Sequence, residues 1–479
     1  MSFLRIALLI VVAGLGVSGL PTFAANSEQA RPNVVFILSD DMGYGELSCH
    51  GNPILKTPNI DKLHSRSVRF TNFQVSPTCS PTRAALMTGR HEFRSGVTHT
   101  LQERERLALS AVTLPSVLAA AGYQTGIFGK WHLGDEWAYR PAQRGFTESF
   151  IHGAGGIGQS YEGSCGDFPG NSYFDPVVLH NERVEQTHGY CTDVFFEAAL
   201  GWIKANRDQP FFAYIATNAP HGPFICPEED SRPYEQAGLD ERSAAFYGMI
   251  ANLDTNVGRL LDQLERLGLT RNTLVIFMTD NGHVIRKLYN AGLRGHKNSP
   301  YDGGTRVPAF FSWPGALPEG VDVPTLAAHI DILPTLAALC GATVPPEAKV
   351  EGRSLVPLLR DANAPMEDRY LFTHCGRWER GAAASAKYHD CAVRNQRFKL
   401  VNHSELYDLQ NDPGEQRDVS DQYPEVVAEL QKAYDTWWDD VQADLVNETA
   451  PLAPRNSFAL LLESQGGDLK RDRNNDAEN

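Results

Sequence analysis

The sequence predicts an α/β fold: a large mixed, mostly parallel sheet sandwiched by helices, with a smaller C-terminal antiparallel-sheet-plus-helix subdomain. Three observations carry this reading. Four apolar runs, Asn33 to Leu38, Tyr123 to Phe128, Phe211 to Ala216 and Leu274 to Met278, are continuous rather than alternating, as strands covered on both faces must be. Helical stretches separate or follow them at Leu114 to Ala121, Asp193 to Ala205, Arg242 to Leu267 and Ile330 to Leu339. After Leu359 the texture changes to short strand-like pieces and one further helix.

The elements follow in order along 479 residues, enough for a large core and two domains. Residues 1–25 read as a signal peptide. Arg5 gives a positive start, Ile6 to Val17 an apolar stretch that is short for a membrane span, and Thr22-Phe23-Ala24-Ala25 a small-residue cleavage region. The mature protein is therefore expected to be exported, periplasmic or extracellular, with no stable membrane insertion once the signal is cleaved. Residues 26–365 hold the four strands. The longest helical stretch, Arg242 to Leu267, repeats Met249, Leu253, Val257, Leu260, Leu261 and Leu264 at helical spacing, the mark of a core-facing helix. Asp361-Ala362-Asn363-Ala364-Pro365 reads as a linker. Residues 366–450 form the smaller subdomain, with strand-like pieces at Tyr370 to His374 and Ala392 to Val401 and a helix near Tyr423 to Val441. Residues 451–479 form a tail, at least partly disordered, since its end is rich in Asn, Asp and Arg.

Each apolar run ends in chemistry. Asp40-Asp41 follows the first, Lys130-Trp131-His132 the second, Asn218 to His221 the third and Asp280-Asn281 the fourth. In open α/β sheets ligands bind beyond the carboxyl ends of the strands, so these four groups are expected to converge. The two acidic pairs offer hard oxygen ligands suited to calcium, with magnesium or manganese as alternatives; no His/Cys cluster with the usual zinc spacing occurs. Taken singly, each pair could equally cap a helix, and each His or Lys could be structural. The net charge of -15 argues against broad nucleic-acid or anionic-membrane binding, so an anionic substrate would need this focused set of cations.

Cys79-Ser80-Pro81-Thr82-Arg83 precedes Ala84 to Thr88 and Gly89. Pro81 suits a first helical turn and Gly89 a C-terminal stop, so Cys79 is expected at the positive end of a short helix, where anions are favoured. Read alone, Cys79 is equally a buried thiol or half a disulfide. Eight cysteines occur, and Cys165 with Cys191 or Cys375 with Cys391 are candidate pairs by proximity in sequence. The stretch His152 to Gln159 is a glycine-rich loop expected to line the pocket.

The pattern Cys-x-Pro-x-Arg, with Ala-Ala-Leu-Met-Thr-Gly-Arg after it, resembles the signature of type I, formylglycine-dependent sulfatases of the alkaline-phosphatase-like superfamily. Pro32 to Asp41, Gly129 to Gly134, Ala219 to His221, Thr279 to Gly282, Lys297 to Pro308 and Glu405 to Glu415 are similar to family blocks in family order. Thr82, where Ser is commoner, and Asp302, where Glu is commoner, depart from it. The resemblance implies that Cys79 is converted to formylglycine (3-oxoalanine) by a maturation enzyme, hydrated, and set beside one Ca2+ held by Asp40, Asp41, Cys79, Asp280 and Asn281. It implies further that Arg83 holds the nucleophile, Lys130 and Lys297 clamp sulfate, His221 protonates the leaving alcohol and His132 takes a proton from the nucleophile. A sulfated carbohydrate or other small sulfate ester is the expected substrate, with His152, His374, Arg377 and Trp378 as candidate contacts. A phosphonate or phosphate ester hydrolase using the same aldehyde, and an inactive carbohydrate-binding relative, are the alternatives.

Overall fold

The computed structural model describes residues 31–160 and 166–466. The expected signal peptide, the last residues of the tail and Cys165 lie outside the described residues. The first half contains β1 (Asn33–Ser39), α1 (Pro58–Ser65), β2 (Val68–Phe70), β3 (Phe73–Gln74), α2 (Cys79–Thr88), α3 (Leu114–Ala120), β4 (Gln124–Lys130), β5 (Glu148–His152), β6 (Val177–His180), β7 (Arg183–Gln186), α4 (Cys191–Ala205) and β8 (Phe211–Ala216). Then come α5 (Glu228–Gln236), α6 (Glu241–Arg266), β9 (Thr273–Thr279), the single turn α7 (Asp302–Thr305), β10 (Arg306–Val307), β11 (Ala309–Ser312), β12 (Val321–Val323), β13 (Ala327–Ala328), α8 (Ile332–Cys340) and α9 (Val356–Arg360). The chain closes with β14 (Leu371–His374), β15 (Cys391–Arg394), β16 (Phe398–Val401), β17 (Glu405–Asp408), α10 (Pro424–Val441) and α11 (Ser457–Ser464).

A ten-stranded sheet runs β12-β2-β11-β9-β1-β8-β4-β5-β6-β7. Its centre, β9-β1-β8-β4-β5, is parallel throughout, while β11 and β6 join it antiparallel. Alternation along β1 explains why every residue from Val34 to Leu38 is apolar. Val34, Phe36 and Leu38 enter one core with Leu86, Met87, Leu114, Leu118, Leu333 and Leu336 from α2, α3 and α8. Val35 and Ile37 enter the other, with Phe195 and Phe196 of α4 and Met249, Leu253 and Val257 of α6. The sheet is thus sandwiched by helices, as expected.

The smaller sheet, β14-β15-β16-β17, is antiparallel and packs on α10 through Leu400, Leu406, Leu430, Tyr434 and Trp438. The stretch Ala392 to Val401, read as one piece, is a hairpin: Asn395 turns the chain by accepting N–H bonds from Arg397 (3.0 Å) and Phe398 (2.7 Å). Large and small sheets belong to one compact unit. The start of the expected tail is ordered by α11. Asn456 caps that helix with bonds from Phe458 and Ala459 N–H, and Phe458 is fully buried, its ring 4.9 Å from that of Phe168. The Asn/Asp-rich composition hid this short apolar face.

Candidate active site

The carboxyl ends of β1, β4, β8 and β9 bring the expected residues together. Backbone pairing makes this unavoidable: β1 lies between β8 and β9, and β8 between β1 and β4. Gly129 completes the approach. It has φ +112, and a Cβ there would sit 2.0 Å from the Ala216 carbonyl oxygen on β8, so only glycine lets β4 deliver Lys130 at this point. Asp41 (φ 61), His132 (φ 56) and Asn298 (φ 69) adopt left-handed backbone that non-glycine residues seldom occupy. Asp41 and His132 stand two residues beyond the ends of β1 and β4, where backbone strain often accompanies function.

Cys79 is the first residue of α2, with Thr78 extended before it and Gly89 closing the helix in the left-handed region. Its side chain is buried at the end where N–H groups are unpaired. The loop carrying Lys297 is tied to the same place by the Asn298 N–H bond to the Pro77 carbonyl (2.9 Å). Behind that loop a buried knot of charge ties α7 to the smaller sheet. Lys399 donates to Asp302 (2.8 Å) and pairs with Glu415 (2.8 Å), and Glu415 accepts the Asp302 N–H (2.7 Å).

Three buried carboxylates face three cations. Lys130 Nζ donates to Asp40 Oδ2 (2.6 Å) and Lys297 Nζ donates to Asp41 Oδ1. Arg83 donates from Nη2 (2.7 Å) and Nε (3.1 Å) to Asp280 Oδ2, and from Nη1 to the Lys130 carbonyl (3.2 Å). Burial alone would push the Asp41 carboxyl up, but Lys297, His221 and Lys130 together hold it well below the usual range. Asp280 goes the other way: burial and the neighbouring Asp40 carry it to about 6 against the pull of Arg83 and Lys130. Burial also works against the charge on Lys297 and Arg83, yet their carboxylate partners keep both firmly protonated.

Oxygens of Asp40, Asp41 and Asp280 lie within 4.8 Å of one another. Asn281 donates from Nδ2 to Asp41 Oδ1 (2.9 Å), which turns its Oδ1 away from that bond. Asn281 Oδ1 and Asp40 Oδ1 are buried and have no hydrogen-bond partner among the described residues. Unpartnered buried oxygens are costly, and a hard divalent cation would satisfy both. The donor set therefore fits calcium.

Two histidines complete the group. His132 donates from Nε2 to the Thr100 carbonyl (3.0 Å), so its bare Nδ1 faces Cys79 Sγ at 3.5 Å. Burial and Lys130 hold its pKa well below the ordinary value, which keeps it neutral and able to accept a proton. Ser80 Oγ fixes the His132 backbone by donating to its carbonyl (2.9 Å). His221 donates from Nδ1 to the Gly222 carbonyl (2.7 Å), leaving Nε2 3.8 Å from Asp41 Oδ2. Burial, with Lys297 and Lys130, lowers it to about 3 despite Asp41.

The glycine-rich loop does border this group. A Cβ on Gly155 would lie 3.0 Å from His132 Cε1, and one on Gly156 3.1 Å from His221 Nδ1. Gln159 folds back to the same two glycines, a side chain that the loop's composition did not single out. Thr100 was not anticipated either: it acts through its carbonyl, which no side-chain pattern can signal.

The candidate substrate contacts separate. Arg377 is exposed and donates to Thr100 Oγ1 (3.3 Å), beside the carbonyl that orients His132. His152 pairs in register with Lys130 but is fully enclosed, its ring stacked on Phe195, so it meets no molecule from solvent. His374 and Trp378 are packing residues rather than a sugar platform. His374 is 2% exposed, donates to the Ala386 carbonyl (3.0 Å) and stacks on Trp438. Trp378 is buried under Arg104 and donates to Glu448 (2.7 Å). The pairing of Cys375 with Cys391 also fails, since both thiols are free. Cys191 is free among the described residues as well.

Burial lowers His374 to about 4, whereas an unfolded histidine titrates near 6.5. Between those values only the unfolded chain binds the proton, so stability falls as pH drops through this window. The loss should reach roughly 3 kcal/mol by pH 4. Urea unfolding at pH 7.5 and 4.5 measures it, and His374→Asn should remove one proton's share of the pH slope.

Residues 32–342 match the family described as Sulfatase, and residues 296–438 match N-sulphoglucosamine sulphohydrolase, C-terminal. The chain is 35% identical over 468 residues to arylsulfatase A of Homo sapiens, covering 86% of this chain and 89% of the relative. It is 32% identical over 397 residues to N-acetylgalactosamine-6-sulfatase of Canis lupus familiaris, covering 78% and 72%. The crystal structure of Ps i-CgsB in complex with k-i-k-neocarrahexaose superposes with a TM-score of 0.78 at 28% identity, covering 91% of this chain and 98% of that one.

Proposed function

Because the chain belongs to the sulfatase family, we propose that it is an exported sulfatase that removes sulfate esters from a carbohydrate, with Cys79 matured to formylglycine beside one calcium ion. It is a sulfuric ester hydrolase. The observation that carries the finer reading is the convergence on Cys79 of three carboxylates, three cations and a neutral histidine whose bare nitrogen faces it. A carbohydrate substrate is supported by the names of two relatives, one an N-acetylgalactosamine-6-sulfatase and one a complex with a neocarrahexaose. Export rests on residues 1–25; no helix among the described residues is long and apolar enough to cross a membrane.

Asp40, Asp41, Asp280 and Asn281 would hold calcium, which neutralises sulfate charge and acidifies an attacking hydroxyl. Formylglycine in place of the Cys79 thiol supplies, as its hydrate, an oxygen nucleophile with a second hydroxyl through which sulfate can later be expelled. The protein's own side chains do the rest. Lys130 and Lys297 furnish positive charge for the sulfate oxygens. Arg83 keeps Asp280 in place and sets its positive charge within electrostatic reach of residue 79. His132, fixed by Thr100, accepts a proton from residue 79 at Nδ1. His221 presents Nε2 to the departing oxygen. It starts neutral, held down by burial and by the two lysines, so it becomes a donor only when the bound sulfate's charge outweighs both. Lys297 is charged from the outset and can share that role. Arg377 stands at the rim as a contact for an anionic sugar.

Hydrolysis of matched sulfate and phosphate monoesters by the matured, calcium-loaded protein tests this. Sulfate cleavage should exceed phosphate cleavage, and a panel of sulfated glycans should contain at least one substrate. Preferential phosphate or phosphonate cleavage would replace the reading with the alternative hydrolase.

A further inference from the structure

A second cluster of ligating side chains lies on the loop that leaves β1. Cys49 and His50 belong to the short 3-10 turn Ser48–His50, and His64 is near the end of α1. The fold places Cys49 Sγ and one nitrogen of each imidazole within 4.8 Å of one another. All three side chains are partly accessible, in a cleft also lined by Tyr44, Arg69, Phe310 and Asp322. We propose that Cys49, His50 and His64 form a second metal site, for a borderline divalent cation of the zinc type, with the fourth position open to water from the cleft.

The ligands are held as metal ligands need to be. His50 donates from Nδ1 to the Tyr44 carbonyl (2.7 Å), which leaves Nε2 bare. Its ring is stacked on Tyr44 (4.0 Å) and edge-on to Phe310. Such an outer hydrogen bond fixes tautomer and orientation in histidine metal ligands. His64 lies edge-on to both His50 and Phe310, and its ring nitrogens make no hydrogen bond among the described residues. Asp61, one turn before His64 on α1, pins the Cys49 turn by accepting the Cys49 N–H (3.1 Å) and the Ser48 hydroxyl (2.6 Å). The three donors are therefore set by two fixed elements rather than by a mobile loop.

The donor chemistry separates this site from the oxygen cluster at the strand ends. One thiolate with two imidazoles suits zinc or cobalt and suits calcium or magnesium poorly. Burial and Asp61 keep the thiol protonated, so the ion must displace that proton: thiol plus divalent cation gives metal thiolate plus one proton released to solvent. The charges facing the site are balanced. Asp61 and Asp322 are acidic, Arg69 is paired with Asp322 (2.6 Å), and Arg306 lies over the Tyr44 ring. Adjacent Cys and His with a second His on the next helix lack the spacing of familiar zinc motifs, so only the folded chain reveals the group.

Cobalt is the probe, because a cobalt thiolate absorbs in the near ultraviolet and a tetrahedral site adds strong visible bands. The full-length, calcium-loaded Cys79→Ala protein is used, which removes the thiol beside His132. One equivalent of Co2+ should produce both sets of bands, and Zn2+ should bleach them and raise Tm. Cys49→Ser should abolish the charge-transfer band and the zinc-induced rise in Tm. His64→Ala should weaken binding at least tenfold and reads the same site should Cys49→Ser fold poorly. Absence of a thiolate band in the parent, or a band unchanged in Cys49→Ser and His64→Ala, overturns the proposal.

Discussion

Cys79→Ala should lower turnover of any sulfate ester by at least about 10⁴-fold, the scale on which enzymes lose a covalent nucleophile. The variant should nevertheless fold. The thiol is buried, but among the described residues its polar contact is a single 3.5 Å approach to His132, and alanine suits the first turn of α2. Kinetics combined with mass spectrometry of the peptide containing residue 79 separates the two roles of this position. Active native protein should carry the aldehyde. An unmodified thiol in fully active protein, or turnover within tenfold of the parent in Cys79→Ala, would remove the nucleophile from residue 79.

Asp280→Asn should lose bound calcium and, with it, activity by at least about 100-fold. Asp280 accepts two bonds from Arg83 and one from the Asp41 N–H (3.1 Å), all in a buried setting. With its charge removed, Arg83 keeps the Lys130 carbonyl (3.2 Å) and, as its remaining carboxylate among the described residues, Asp40 at 3.9 Å. Breaking a buried pair on one side costs about 3–5 kcal/mol, so urea unfolding should move well to lower concentration. The pH dependence has a definite sign. In the metal-free chain burial and Asp40 keep the Asp280 carboxyl protonated up to about 6, so below that pH calcium must displace a proton and its affinity falls. Metal analysis at pH 7.5 and 5 checks this; undiminished calcium in Asp280→Asn would dismiss it as a ligand.

Much of this arrangement was legible because buried parallel strands leave an unmistakable trace. Asn33 to Leu38 reads as continuous apolar sequence only because both faces of β1 are covered, and the residues that break the run are those at the site. The same logic located Lys130, His221 and Asp280. It failed where two physical causes share one pattern. Trp378 near arginines describes a sugar platform and also a cation-covered core residue; the partners that decide, Arg104 and Glu448, are remote in sequence. His374 was misplaced for the same reason, its neighbours coming from α10. The hairpin at Asn395 was read through because its turn, Asn395-Gln396-Arg397, carries no glycine to mark it, and α11 was missed because its polar surroundings outweigh two turns of apolar residues.

The docking of α11 has a bearing on how the protein is made. Phe458 meets Gly153, whose carbonyl receives the His132 N–H, and Asn456 donates to the Asp167 carbonyl just beyond the glycine-rich loop. The backbone beside His132 is thus braced by residues that leave the ribosome long after Cys79 does. A side chain enclosed by the finished fold is out of reach of a modifying enzyme, whereas the same segment on an incompletely folded chain is open to one. The proposed maturation of Cys79 would accordingly fall in the interval before this late segment locks in, and the speed of folding would then set the fraction of molecules that become active.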